Sequence, residues 1–374
     1  MVIRGRHRSR EKVLVSYRIY LRISRPGDTM RVSVGASLRA GRCFTCPKRP
    51  KAARCFQCDC ARRPSSNGVV STVNRPVVLI GDVHGHVKKL ESLWGRLEVE
   101  LGAERFNNSR VVFLGDFCDR GPDTSGVLSF LAAIPEKHPG VELRLLAGNH
   151  DLGLMTFLNL IEIEGGDAPL GFVARRPEPP LCHDVNAGER AEGKEIGMHL
   201  QGRRWGAPPL GSTKGVTAKT HVTNAFESEA TFASYGVEPG DRVGLLAAMP
   251  DAHKKLLASL EFVVEMDDVT DDHHPEVKKL IAVHAGLLSA PVNEQVEKLQ
   301  KRIVNEQWIE ALQGRGNVVN LPHTLASDVL VASGHHGKLV MEGRRLIVDS
   351  CAGHSERQLA AVILPERKIV MSEC

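Results

Sequence analysis

The 374-residue sequence predicts an α/β domain. Three observations carry that prediction. Short apolar runs recur and each ends in glycine followed by a polar residue, as strands do where they leave a sheet. Segments of helical period separate the first three of these runs, which is the β-α-β-α-β rhythm of an α/β class. The last fifty residues alternate apolar runs with turn residues and add further strands.

The body opens at Pro76–Ile80, a buried strand that leads into GDVHGH. Val87–Leu101 follows, with Leu90, Leu93, Trp94, Leu97 and Leu101 at helical spacing on one face. Val111–Leu114 is the second strand and enters GDFCDRG, Gly115–Gly121, after which Pro122 precedes a helix over Thr124–Ile134. Val141–Leu146 is the third strand and delivers Asn149 and His150 in GNHD.

From about 152 to 278 the rhythm breaks, and Gly, Pro and charged residues dominate 164–215. So long an irregular stretch reads as a functional lid or an insert. Helical pattern returns at Glu227–Tyr235 and at Pro250–Leu260, where Pro250 and Asp251 suit a first turn. Strands at Glu261–Met266 and Lys279–Val283 flank an exposed turn that contains His273 and His274. Val292–Leu312 reads as one helix. Strands at Asp328–Ala332, Lys338–Met341, Arg345–Val348, Ala360–Leu364 and Lys368–Met371 are expected to complete a second sheet.

Charge is distributed unevenly. Residues 1–75 hold 18 Lys or Arg against Glu11, Asp28 and Asp59, a surplus of 15 positive charges, so with a whole-chain net of +5 the remainder is net −10. An Arg-rich, acid-poor leader has the composition of an organelle transit peptide, with a disordered basic tail as the bland reading. An organelle address, plastid ahead of mitochondrion, is the expectation, and a cytoplasmic protein the alternative. No run approaches the roughly 18 apolar residues of a membrane span, so no membrane partner is expected.

The chain has nine cysteines, five of them between Cys43 and Cys60. Cys43, Cys46, Cys55 and Cys58 form paired C-x2-C steps that suit a separate structural zinc, although the segment lacks apolar residues for even a small core. The cysteine segment offers only Phe44 and Phe56 beside its basic residues, no interleaved aromatic platform for base stacking, so nucleic acid is not an expected partner.

Five strand ends carry Asp82, His84, Asp116, Asn149, His284 and His335. Two divalent cations about 3.5–4 Å apart can clamp a phosphate if a carboxylate bridges them. Asp116 is the candidate bridge, Asp82 and His84 face one ion, and Asn149, His284 and His335 offer an amide oxygen and imidazoles to the other. Mixed oxygen and nitrogen donors suit Mn, Fe or Zn rather than calcium. Taken singly, an Asp at a strand end is usually a turn former and a buried His usually satisfies a hydrogen bond; their conjunction carries the reading.

GDVHG, GDFCDRG, GNHD, HAGL and SGHHG resemble, in order, the signature blocks of the calcineurin-like metallophosphoesterases, and the DRG ending resembles the phosphoprotein phosphatase branch. The longer blocks VVFLGDFCDRGPDT, HLQGRRW, ATFASYGV, KLIAVHAGL and VASGHHGKL are similar to a plant and algal group of these proteins.

The resemblance implies one domain over 76–372 with an insert at about 152–278, and two mixed β-sheets packed face to face with flanking helices, a four-layer α/β/β/α arrangement. It implies one metal at Asp82, His84 and Asp116 and a second at Asp116, Asn149, His284 and His335. His150 is then the general acid, oriented and kept protonated by Asp119, and Arg120 binds phosphate.

Asp151 stands where that branch usually has Glu, Cys118 where it often has Val, and its second phosphate-binding arginine has no motif match. Arg175, Arg176, Arg203 and Arg204 in the insert are the substrate-contact candidates. His336 is the alternative ligand to His335. The expected activity is hydrolysis of a phosphomonoester, with phosphoserine or phosphothreonine on protein as one substrate class. The alternatives are a phosphodiester or dinucleoside polyphosphate substrate and, in another class, a weakly catalytic binding module.

Overall fold

A computed structural model describes residues 75–161, 200–206, 226–305, 307–351 and 353–374. Residues 1–74, with the paired cysteines Cys43, Cys46, Cys55 and Cys58, and Arg175 and Arg176 lie outside the described residues. Among those described, the strands are β1 Val77–Ile80, β2 Arg110–Phe113, β3 Glu142–Leu145, β4 Val264–Asp267, β5 Lys279–Ala282, β6 Val329–Ser333, β7 Leu339–Glu342, β8 Arg345–Val348, β9 Ala360–Leu364 and β10 Lys368–Met371. The helices are α1 Val87–Leu101, α2 Ala103–Asn107, α3 Thr124–Lys137, α4 Asn149–Phe157, α5 Leu200–Trp205, α6 Glu229–Ser234, α7 Arg242–Ala248, α8 Asp251–Ser259, α9 Val292–Gln300 and α10 Glu310–Gln313.

The strands form two mixed sheets, ordered β10-β9-β1-β2-β3 and β4-β5-β6-β8-β7. Alternation along each strand sends successive side chains to opposite faces. Leu79, Val112, Leu114 and Val362 of the first sheet meet Val264, Leu280, Ala282, Leu330 and Leu346 of the second in one buried cluster, so the sheets pack face to face. Val78, Ile80, Val111 and Phe113 turn the other way, into a cluster with Leu93 and Leu97 of α1 and Leu128 and Leu131 of α3. Ile281 and Val331 share that outer role with Val296 and Leu299 of α9. A fully buried Leu, Ile or Val contributes roughly 1.5–3 kcal/mol, which makes these two faces of each sheet the main stabilising surfaces.

Three expectations are corrected. β9 and β10 join the first sheet rather than the second, with β9 antiparallel to β1 and Val78 opposite Ile363. β1 is buried at every residue and lies centrally in its sheet; β9 supplies the ladder partner on the edge that β2 leaves open.

The helix expected over Val292–Leu312 breaks after Gln300. Arg302 takes a left-handed φ of 56°, donates to Leu260 O at 3.1 Å and lies 6.0 Å from the Phe262 ring centroid, which pins the chain there. The stretch that read as irregular contains α5 and α7, and α4 continues into it to Phe157. Every α4 residue from His150 to Phe157 is buried, so α4 has no polar stripe for a helical period to show.

One ion pair ties the turns of both sheets together. Arg367, in the β9–β10 turn, places Nε 3.0 Å from both oxygens of Asp271 and also donates to Met341 O at 3.0 Å and Gly343 O at 2.7 Å. Both side chains are buried. Arg367→Met leaves a buried unpaired carboxylate and is expected to lower unfolding stability by about 3–5 kcal/mol, with much of the loss recovered in the Asp271→Leu, Arg367→Met double variant. Urea denaturation of the three proteins checks it; equal stability of wild type and Arg367→Met would contradict it.

Candidate functional site

The parallel strands β1, β2, β3, β5 and β6 all deliver polar residues at their C-terminal ends: Asp82 and His84, Asp116, Asn149, His284 and His335. Asp116 is the meeting point. Its Oδ2 lies 3.6 Å from His84 Nε2 and 3.3 Å from His284 Nε2. Two triads of donor atoms result, His84–Asp116–His150 and Asp116–His284–His335, each with all its atoms within 4.8 Å of one another. Asp82 stands beside them, 3.9 Å from His84 Nε2, and accepts from the His335 N–H at 3.0 Å.

Backbone conformation sets this convergence. Asp116 has φ 54° and follows Gly115 at φ 106°; a Cβ on Gly115 would come within 2.6 Å of Gly148 N and 2.8 Å of His284 Nδ1. A Cβ on Gly148 would sit 2.0 Å from Asp116 Oδ1. Only glycine allows the second and third strand ends to approach so closely. Asp151 then locks the two loops: Oδ2 accepts from Asp116 N at 2.7 Å and Gly148 N at 2.9 Å, and Oδ1 from Phe117 N at 2.8 Å.

The imidazoles are oriented by their outward nitrogens. His84 Nδ1 donates to Cys118 O at 3.0 Å, His284 Nδ1 to Leu114 O at 2.6 Å, and His335 Nε2 to Gln313 O at 3.1 Å. Each keeps its other nitrogen for the cluster. His336 instead donates Nε2–H to Ala285 O at 2.7 Å. Cys118 is fully buried, and burial pushes its thiol well up, so it packs as a small apolar residue.

Residues of this kind fit cations. Asn149 Oδ1 and His284 Nε2 are buried without a hydrogen-bond partner among the described residues. Burial, then the nearby Asp349, with Asp116 adding, raises Asp82 well above the carboxylate range. Burial works against charge on His284, yet the Asp116 carboxylate raises it to about 10, so the cluster recruits a proton where a cation would be favoured.

A second group stands beside the ligand atoms. Arg120 donates from one guanidinium nitrogen to His84 Nε2 at 2.9 Å and from the other to His150 Nε2 at 3.1 Å. Both Nε2 atoms therefore present lone pairs. Burial, then His150, holds His84 down at about 3, and burial, with Arg120 adding, holds His150 at about 4, against the pull of Asp116. The protonated His150 expected from its carboxylate partner is thus not the resting state: burial, with Arg120, outweighs the pull of Asp116.

His150 Nδ1 nevertheless donates to Asp119 Oδ2 at 2.7 Å. Burial pushes Asp119 up to about 8 even though Thr231 Oγ1 donates to its Oδ1 and Trp205 Nε1 to its Oδ2, both at 2.7 Å.

Trp205 and Thr231 were not found as functional residues from the sequence. Both lie in the blocks HLQGRRW and ATFASYGV that flank undescribed parts of the insert, and that recurrence of ordered blocks is the signal that marks them. On α5, Arg203 is half-buried and Arg204 exposed, and the α5 side chain that meets Asp119 is Trp205. Arg315, also missed, donates a guanidinium N–H to the carbonyl of His335.

Residues 75–198 match the family described as Calcineurin-like phosphoesterase. Among curated proteins, the chain is 35% identical over 83 residues to a Bis(5'-nucleosyl)-tetraphosphatase PrpE [asymmetrical] of Oceanobacillus iheyensis, covering 19% of this chain and 33% of that one. It is 33% identical over 91 residues to a serine/threonine-protein phosphatase 4 catalytic subunit of Saccharomyces cerevisiae, covering 24% and 27%. These matches span no more than about a third of the relatives' length. A solved protein serine/threonine phosphatase from Saccharomyces cerevisiae with similarity to human phosphatase PP5 aligns over 82% of each chain at 13% identity and TM-score 0.40. The likeness to the calcineurin-like phosphoesterases thus rests on residues 75–198.

Asp151→Asn would turn an amide N–H2 toward backbone donors and is expected to cost about 2–3 kcal/mol of stability. Thermal unfolding measures it, and an unchanged midpoint would show that Asp151 does not hold the two loops.

Proposed function

We propose that this chain hydrolyses a phosphomonoester, with phosphoserine or phosphothreonine on protein as a candidate class, at a centre built for two divalent cations. The observation that carries the proposal is the Asp116 carboxylate facing His84 on one side and His284 on the other, within two donor triads. Asp82, His84 and Asp116 would hold one ion, and Asp116, Asn149, His284 and His335 the other; His150 is also in the first triad by distance, and the family resemblance assigns its Nε2, left free by the Nδ1–Asp119 bond, to acid catalysis rather than to the ion. Bound Mn, Fe or Zn supplies Lewis-acid charge for phosphoryl oxygens and a nucleophile at neutral pH.

The chain's own residues divide the remaining work. Arg120 is a planar donor fork suited to two phosphate oxygens, and in the resting state that fork is spent on two imidazoles. Turning the guanidinium to a substrate removes a positive charge that depresses His150 and puts phosphate charge beside it, both of which favour a proton on Nε2. Asp119, fixed by Trp205 and Thr231, keeps the Nδ1 proton in place, so His150 exchanges protons at Nε2 with the leaving oxygen. Arg315, beside His335, joins Arg203 and Arg204 as a candidate second phosphate contact.

The match to a Bis(5'-nucleosyl)-tetraphosphatase favours a second reading, in which the substrate is a dinucleoside polyphosphate. The composition of residues 1–75 supports a transit peptide with a plastid address.

Assays with Mn on an aryl monoester, a phosphoserine peptide, a bis-aryl diester and a dinucleoside tetraphosphate test these readings, with Asp116→Asn as blank. Monoester turnover that the variant lacks is expected; turnover of only the diester or tetraphosphate would move the assignment. His150→Gln is expected to lower kcat by about 10²–10⁴-fold on the phosphoserine peptide and much less on the aryl ester, whose leaving group needs no proton. Equal losses on both would remove His150 from the acid role.

A further inference from the structure

Away from the carboxylate and imidazole cluster, and sharing no residue with it, a groove of about 560 Å³ lies along the edge of the first sheet. Leu131, Ala132 and Pro135 of α3 form one wall, Ala252, Lys255 and Leu256 of α8 the other, and Leu143 and Leu145 of β3 line its base. β3 is an edge strand, paired on one side to β2.

Its backbone shows what could cover that edge. Glu142 N–H donates to Ser109 O and Leu146 N–H to Phe113 O, both at 3.0 Å. Alternation along a parallel ladder therefore turns Leu143 and Leu145 away from β2. At the far end the chain at Glu261 closes the edge, donating to Leu145 O at 2.9 Å and accepting from Ala147 N at 2.8 Å. The N–H groups of Leu143 and Leu145 and the carbonyl of Leu143 have no hydrogen-bond partner among the described residues. Natural edge strands are usually blunted by charge, proline or a covering loop; on β3 the charges of Glu142 and Arg144 are spent on Arg75 and Glu261, and half-buried Leu143 and Leu145 face the groove.

Charge narrows the occupant. Arg144 is already paired with Glu261, and Lys254 with Asp251 at 3.0 Å. Lys255 is exposed in the groove wall with no ion-pair partner among the described residues. Unpaired main-chain donors and an acceptor call for another polypeptide backbone, the apolar walls for aliphatic side chains, and Lys255 for an acid.

We propose that this groove docks an extended segment of a partner protein, which adds a strand to β3, inserts aliphatic side chains two residues apart between α3 and α8, and sets an Asp or Glu against Lys255. Recognition of this kind draws affinity from main-chain bonds and selectivity from pockets for alternate side chains. It stands independently of which ester the centre cleaves.

The test is selection of a phage-displayed random dodecapeptide library on the full-length chain, followed by fluorescence anisotropy of the enriched peptides as synthetic probes. Enrichment of sequences with two aliphatic residues separated by one position and a nearby acid is expected, with Kd weakened about tenfold by Lys255→Glu and more by Leu256→Arg. Aryl phosphatase activity serves as the folding control for both variants, and Lys255→Glu, at an exposed position, is the decisive one. N-methylation of a probe amide along the pairing edge is expected to abolish binding.

Absence of enrichment, or enriched peptides that bind both variants as tightly as wild type, would overturn the proposal. So would self-association of the wild-type chain in sedimentation that Leu256→Arg abolishes, because the groove's occupant would then be a second copy.

Discussion

The arrangement depends on one buried carboxylate held in an unfavourable backbone conformation. Asp116 sits at φ 54° with its side chain 3% exposed, between His84 and His284. A residue with a Cβ in the left-handed region costs of order 1–3 kcal/mol and persists only where its surroundings over-determine it. Here they do. Asp151 binds its N–H, the His150 N–H donates to its Oδ1 at 3.0 Å, and its own carbonyl accepts from the amides of Val83 and His84 at 3.0 and 2.8 Å. The strained residue thereby ties the ends of β1, β2 and β3 together.

The same constraint repeats around the cluster. His84, Asp119, Arg120, His335 and Cys351 also take positive φ values, between 45° and 71°. Strain concentrated on functional side chains is what one expects where strand ends must aim groups at a common point rather than continue a ladder. The sandwich core provides the stability that offsets it, since β1, β2, β6, β8 and β9 are buried at every residue. Fold and site are thus linked: the parallel strands point their C-terminal ends the same way, and the core lets those ends be strained.

Much of this was legible in the sequence because the signals were local. α1, β8, β9 and β10 have the boundaries their residues imply, and the strand ends name Asp82, His84, Asp116, His284 and His335, which the fold brings together. What was illegible was set by tertiary context. The partner of β9 depends on which edge of β1 lies open, which no local pattern encodes. α4 is buried on every side and so has no helical stripe. Trp205 and Thr231 reach Asp119 from 86 and 112 residues away. The charge state of His150 depends on tertiary context in the same way: a carboxylate neighbour argues for a proton, but burial and the Arg120 cation argue more strongly against one.

The central claim is that Asp116 serves two cation sites at once. The most direct measurement is metal content per chain by inductively coupled plasma mass spectrometry, after loading with Mn and removal of excess by gel filtration, for wild type and Asp116→Asn of equal thermal stability. Manganese keeps the count away from the cysteines of residues 43–60, whose thiolates favour softer ions. Two ions per wild-type chain and fewer than one in the variant is the predicted result. Retention of two ions by Asp116→Asn, or a single ion in wild type, would contradict the account.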